Sequence, residues 1–451
     1  MDAKREPSVA VFTQGSTLRH VLVMTGAASV GLMAIFVVDF LSLLYVSRLG
    51  DPALTAAVGF ATQILFFSVS VSIGLAIAIG ALVSRALGAG DVARARRLAA
   101  SGLVHVVVVC ALVGLAGFLA RRELLGLLGA KGATLETAAR YLAFTLPATV
   151  GLGLGMALAA ILRAVGDARR AMYVTLAGAL TTAALDPLFI FTLGLGVEGA
   201  AIVTVISRGV FLIVGLYGAA LRHDLVARPR LSAAFADARA LHAIALPAIA
   251  TNVAAPVASA YAMSVFSGFG AAPVAALAIM DRVAPVAFGA LFALSSAVGP
   301  ILGQNLGARL YGRLRRVLTD SFGFCALYVL CVGLLLTQAP PLIIALFSAH
   351  GETADLVRFF CLVCGPLWFF LGGVFVANAS FNNLGFPLLS TLFNWGRATL
   401  GTIPFVTLGS AWFGPKGGYV GLILGAALFG VGATATAYWT VARLAESRSR
   451  S

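Results

Sequence analysis

Polar residues in this chain fall in short intervals, and between them run long apolar stretches in which nothing alternates. Stretches such as 106–120 and 421–441 are almost continuously apolar. A membrane strand would alternate apolar and polar side chains over about ten residues. Backbone groups in lipid must be satisfied within the segment or within a closed barrel. Unbroken apolar runs therefore predict helices. About 20 apolar residues cross the hydrocarbon core. On that length the pattern predicts twelve spans, at 21–46, 53–84, 98–120, 135–162, 171–194, 198–221, 243–268, 273–303, 317–338, 355–381, 388–412 and 418–442. The longest exceed thirty residues, which predicts tilt, kinks or extension into water.

Composition agrees with a surface that faces lipid. The 451 residues are 60% hydrophobic and 11% charged, with a mean hydropathy of +1.00. A soluble domain carries about 25% charged residues. The net charge of +14 comes almost wholly from arginines in alternate loops. Arg94, Arg96 and Arg97 follow span two, Arg169 and Arg170 span four, Arg228 and Arg230 span six, and Arg313, Arg315 and Arg316 span eight. The opposite loops hold few, chiefly Arg48, Arg121, Arg122, Lys131, Arg358 and Lys416. This bias predicts an inner (plasma) membrane protein with both termini in the cytoplasm. Residues 1–20 form a polar cytoplasmic segment without a signal-peptide cleavage site. No basic face with interleaved aromatics lies outside the spans, so nucleic acid is not an expected partner.

The longest polar interval, 222–242, falls near the middle, which prompts a search for duplication. Ser84–Arg97 resembles Gly303–Arg316, with Gly88 and Gly307 separated by 219 (307 − 88). The same offset pairs Gly166 with Gly385 (385 − 166). The chain thus reads as a first lobe at 21–221, a linker at 222–242, a second lobe at 243–443 and a tail at 444–451. Six spans restore the starting orientation, so the lobes are parallel repeats, an architecture of transporters. An ion channel would need a filter loop, and none is visible.

Ionisable groups in mid-membrane are costly and mark function by default. Asp39 lies deep in span one and Asp186 in span five, where Pro187 disturbs the helix. Two carboxylates in one apolar half can share a proton or flank a cation. Asp281 and Arg282 adjoin in span eight, and Arg208 and Arg397 are candidate counter-charges. The offset places Ala258 opposite Asp39 and Phe405 opposite Asp186, so cation coupling is expected in the first lobe alone. Other motifs are structural. Gly194–Gly199 fits G-x-G-x-x-G but joins two spans, and Gly151-x-x-x-Gly155 and Gly421-x-x-x-Gly425 are ridges for close helix contact. The Cys361–Cys364 pair reads as small core residues. The five histidines lack metal-ligand spacing, and no Walker A sequence is present. Nothing supports an enzyme, a bound metal or a cofactor.

In order and spacing, Asp39 with Arg48-Leu-Gly50, Gly88-Ala89, Arg163-Ala-Val-Gly166-Asp167, Leu185-Asp186-Pro187, Leu246-Pro247 and Gln304–Ala308 resemble the multidrug and toxic compound extrusion (MATE) family, over nearly the whole chain. The DinF-like branch fits better than the NorM-like branch, because the middles of spans seven and ten hold no acid. The resemblance implies two six-helix lobes forming a V and export of drugs or lipophilic cations by antiport. It implies that Asp39 and Asp186 bind the coupling cation, with Thr182 and Thr204 as further oxygens. Thr182 stands where many relatives have Asn, which favours protons over sodium. The proline that bends span one in some relatives is missing, and Gly26 is the nearest hinge. Met33, Phe40, Met156, Asp281 and Arg282 are the expected cavity residues, and the protein is expected to act as a monomer. A flippase for an amphiphilic lipid-linked substrate is the nearest alternative.

Overall fold

The structure, a computed structural model, describes residues 10–449. Among the described residues helices are joined by turns and short irregular segments, without a strand. Eight helical stretches are long and apolar enough to cross a membrane as they stand. Three more arise from helix pairs bent at short breaks. The stretch Pro387–Glu446 contains two spans, because Phe413 and Gly414 leave helical backbone values inside it. The total is the twelve the sequence predicts.

We number the spans α1 (Thr17–Ser47), α2 (Pro52–Gly88), α3 (Val92–Leu119), α4 (Gly132–Thr145 with Thr149–Val165), α5 (Ala168–Pro187), α6 (Gly196–Leu216), α7 (Leu231–Ser267), α8 (Ala271–Ala287 with Gly289–Gly307), α9 (Tyr311–Gln338), α10 (Gly351–Phe359 with Trp368–Leu384), α11 (387–413) and α12 (415–449). The two halves of α4 meet at 50°, as do those of α8. Helices α2, α3 and α5 start on Asp51, Asp91 and Asp167, whose carboxylates accept from the amides of Ala53, Arg94 and Arg170 at 2.8, 2.8 and 2.9 Å. These acids outside the apolar runs are helix caps, satisfying amides left free in a first turn.

The chain divides into two compact units, one comprising residues up to Thr13 and Val30–Ile249, the other Gln14–Ser29 and Ala250 onward. The first unit therefore takes in the interval read as a linker at 222–242. That interval is helical from Leu231. Its charges are anchored to α3: Asp237 accepts from Arg97 Nη2 at 3.1 Å and from Ser101 Oγ at 2.8 Å. A helix whose first turns pair their charges with a neighbour reads as polar loop in sequence.

The duplication is written in the backbone of each unit. Gly166 ends the second half of α4 at φ +94°, ψ +7°, and Gly385 ends α10 at φ +97°, ψ +16°. Ala148 breaks α4 at φ −77°, ψ 0°, and Leu367 breaks α10 at φ −81°, ψ −4°, again 219 apart (367 − 148). Short helices Arg121–Leu127 and Pro340–Leu346 keep the same offset (340 − 121). Gly166 and Gly385 take left-handed values that a side chain would strain, which is why the sequence match survives there.

Within the second unit, α11 and α12 touch through backbone. A Cβ at Gly425 would lie 1.7 Å from the carbonyl oxygen of Gly401, and one at Gly421 would lie 2.2 Å from that of Phe405. Small residues let membrane helices approach this closely. Gly425→Leu is expected to lower the melting temperature in detergent by more than about 5 °C. Gly126→Ala, whose Cβ meets nothing within 4 Å, is the control and leaves it unchanged in the same thermal-shift assay.

Asp167 also ties α5 to the segment after α6. It accepts from Arg170 Nη1 at 2.5 Å and from His223 Nε2 at 2.8 Å. Burial pushes its carboxyl up, but the bonds from His223 and Arg170 outweigh burial and hold it at about 2. The stabilisation is thus full above the usual carboxylate range and is lost as pH falls from about 4 through about 2. Asp167→Ala is expected to cost about 1–2 kcal/mol at neutral pH. Thermal shifts measured between neutral pH and pH 3 check it: the gap between parent and variant should narrow as the medium is acidified.

Candidate functional site

The site grows from a helix break. Pro147 carries no amide proton, and Thr149 N turns to Leu146 O at 3.1 Å. The carbonyl of Thr145, which a continuous helix would pair with that amide, is released. In the hydrocarbon no water takes its place. Arg208 of α6 supplies the donor, with Nη1 2.5 Å from Thr145 O. Arg208 is 8% exposed. A buried guanidinium thus braces the bend of α4.

One turn before each of these residues lies a second rung between the same helices. Tyr141 of α4 and Thr204 of α6 share a side-chain hydrogen bond. The Thr204 hydroxyl also donates to Ala200 O at 2.9 Å. The Tyr141 phenol stands within the electrostatic reach of Arg208, Asp186 and Asp39. The structure therefore gathers both sequence-predicted carboxylates and Thr204 around one tyrosine.

Asp186 is buried, 1% exposed. Ser42 of α1 donates to its Oδ2, while Oδ1 is enclosed with no hydrogen-bond partner. Asp39 stands exposed on α1, three residues before Ser42. Thr182, one turn before Asp186, is half-buried, and its hydroxyl donates to Gly178 O at 3.2 Å. Past Pro187 the helix does not simply end but widens into a π-turn at Leu188–Thr192, a device frequent at functional sites. One carboxylate thus has half its acceptor capacity filled and half open, in a place where water is scarce. Such a group has the chemistry to accept a proton or a cation.

Sequence reading missed Ser42 and Tyr141. Ser42 had a signal, since i and i+3 share a helix face and Asp39 was already marked. Tyr141 had none: it follows Arg140, whose charge pairs with Glu198 at 3.1 Å and gives no pointer to the carboxylates. Met33 and Met156 are half-buried and Phe40 is exposed. Asp281 and Arg282 lie exposed on α8, in the second unit. Two apolar cavities of the second unit, of about 480 and 390 Å³, are lined by Phe359 with residues between 404 and 424, and by Phe369 with residues between 326 and 337, and contain none of the predicted site residues. Gly194 and Gly196 have positive φ, as a turn requires. Cys361 is buried, and the Cys364 side chain lies outside the described residues. Among the described residues no three His, Cys, Asp or Glu side chains converge as a metal site.

Comparison with known proteins agrees with this geometry. The MatE family model matches residues 27–188 and again 247–407, once in each half. A Shewanella oneidensis protein named FAD transporter is 29% identical over 428 residues, covering 92% of each chain. A probable multidrug resistance protein NorM of Pseudomonas aeruginosa is 28% identical over 95% of this chain and 90% of its own. The crystal structure of the Vibrio cholerae MATE transporter VcmN in the bent form superposes with a TM-score of 0.89 at 24% identity, covering 95% of this chain and 98% of that one. A twelve-span helical fold duplicated at a fixed offset, matched by one family model in both halves, means that the chain belongs to the MatE family of multidrug and toxic compound extrusion transporters and is a membrane transporter, not an enzyme.

Proposed function

We propose that the protein exports small organic molecules in exchange for protons taken up at Asp39 and Asp186. The observation that carries this reading is Asp186 Oδ1, enclosed without a partner, on a carboxylate tied through Ser42 to the helix that bears the exposed Asp39. A proton bound there turns a partnerless acceptor into a donor. Sodium would need several oxygens at once. The hydroxyls of Thr182 and Thr204 donate to carbonyls of their own helices and Ser42 donates to Asp186, so each offers only spare lone pairs. The buried charge of Arg208 opposes a second cation in the same cluster.

The exchange follows from linkage. Facing outward, the carboxylates take up protons and the substrate leaves. Facing inward, the protons leave and substrate binds, each ligand lowering the affinity of the other. Arg208 and Thr145 keep the bend of α4 fixed, so that Tyr141 stays between Thr204 and the acids.

Two substrate classes fit an exporter of this kind. Relatives named as multidrug resistance proteins support lipophilic cations, which the acids of the first unit would attract. The relative named FAD transporter supports an anionic flavin dinucleotide. The coupling site serves either one.

The test is efflux from cells lacking their own pumps, following ethidium and secreted flavin together. The parent is expected to export at least one of them. Asp39→Asn, Asp186→Asn or a proton uncoupler should each reduce the rate by at least about tenfold at equal expression. Export by both variants at the parental rate would overturn the coupling site.

A further inference from the structure

In the second unit a buried polar seam joins α10 to α11. Asn394 Nδ2 donates to Asn378 Oδ1 at 2.9 Å, and Ser390 Oγ donates to Asn382 Oδ1 at 3.2 Å. Arg397 continues the same face of α11. At about 100° per residue it lies about 180° from Leu388, which is 72% exposed toward the apolar surroundings. Its position ten residues beyond Pro387 puts it about 15 Å along the span, near the middle of a core about 30 Å thick.

The amides and hydroxyls of the seam satisfy one another, and Arg397 is left over. The residue is half-buried and its Nε is enclosed without a partner. Among the described residues its guanidinium makes no hydrogen bond, ion pair or ring contact. Of the acids of this unit, Asp320 accepts from Thr17 and Asp355 pairs with Arg358 at 2.9 Å, and no ion pair joins any described acid to Arg397. A π-turn begins at Arg397 itself, and the carbonyl that this turn frees is taken by Thr402 Oγ1 at 2.9 Å. Trp395, two residues earlier, is held by its indole donating to Ala250 O at 3.0 Å.

A guanidinium uncompensated in mid-membrane is costly. Its planar fork matches the oxygens of phosphate or carboxylate. A lipid headgroup does not reach this depth, since headgroups lie outside the hydrocarbon core. We propose that Arg397 receives an anionic group of the transported molecule, so that the cargo is an organic body bearing a phosphate or carboxylate and not a lipophilic cation. The proposal rests on the reading of the chain as an exporter and names its substrate class. It also assigns the two charges to different tasks: carboxylates in the first unit for the coupling cation, a guanidinium in the second for the cargo.

The experiment uses the purified full chain in detergent, without any gradient, so that its failure and a failure of proton coupling are separate results. Flavin mononucleotide, riboflavin (the same rings without phosphate), carboxyfluorescein and ethidium are titrated by fluorescence against the parent, Arg397→Gln and Arg397→Lys. Thermal shifts check that each variant is folded. The parent is expected to bind flavin mononucleotide about ten- to a hundredfold more tightly than riboflavin. Arg397→Gln should bind the two flavins alike, and Arg397→Lys should recover part of the difference. If Arg397→Gln fails to fold, the parent's preference and the Arg397→Lys result decide. Equal binding of flavin mononucleotide and riboflavin by the parent, tighter binding of ethidium, no binding of either anionic dye, or a folded Arg397→Gln that keeps the preference would overturn the proposal.

Discussion

A helix that breaks inside hydrocarbon releases backbone groups that water cannot reach, and the candidate site of this transporter is arranged around one such break. The carbonyl of Thr145 loses its amide where Pro147 interrupts α4, and Arg208 of α6 takes it up at 2.5 Å. That single bond sets the register of α4 against α6. One turn away the register brings Tyr141 to Thr204, and through Tyr141 to both carboxylates. Without the guanidinium the bend would leave an orphan acceptor costing several kcal/mol. The rung beneath it would then have nothing to fix it.

Charge is distributed unequally over a backbone that is nearly the same twice. Glycine caps, helix breaks and short helices recur at one offset, yet the ionisable residues inside the spans do not. The first unit encloses Asp186 and leaves one oxygen open; the second carries Arg397, whose Nε is enclosed and finds no hydrogen-bond partner among the described residues. The first unit also holds the buried guanidinium of Arg208, bonded to Thr145 O, so the two halves differ in how their charges are met and not simply in sign.

Much of the fold was legible in the sequence because lipid imposes a simple code. Twelve apolar runs gave twelve spans, and two short matches at one offset revealed the duplication. The helix of the seventh span begins before its apolar run: Leu231–His242 carries Asp237 and Arg239, and the contact of Asp237 with Arg97 and Ser101 accounts for that acid in a helix. Asp39 and Asp186 were legible because a carboxylate in an apolar run is expensive. Tyr141 was not, since an aromatic residue in a span is ordinary and its meaning depends on a break six residues later. Arg397 was visible as a charge, but that its Nε finds no partner among the described residues is a property of three dimensions.

The most direct test of proton exchange uses vesicles that hold the purified protein with its arginine-bearing loops outward and contain no other transporter. A gradient of protons, acid inside, is imposed in one set and a gradient of sodium in the other, and uptake of the tightest-binding dye is followed. The account predicts uptake driven by the proton gradient alone and abolished by Asp186→Asn. Uptake driven by sodium at constant pH, or proton-driven uptake that survives Asp186→Asn, would contradict it.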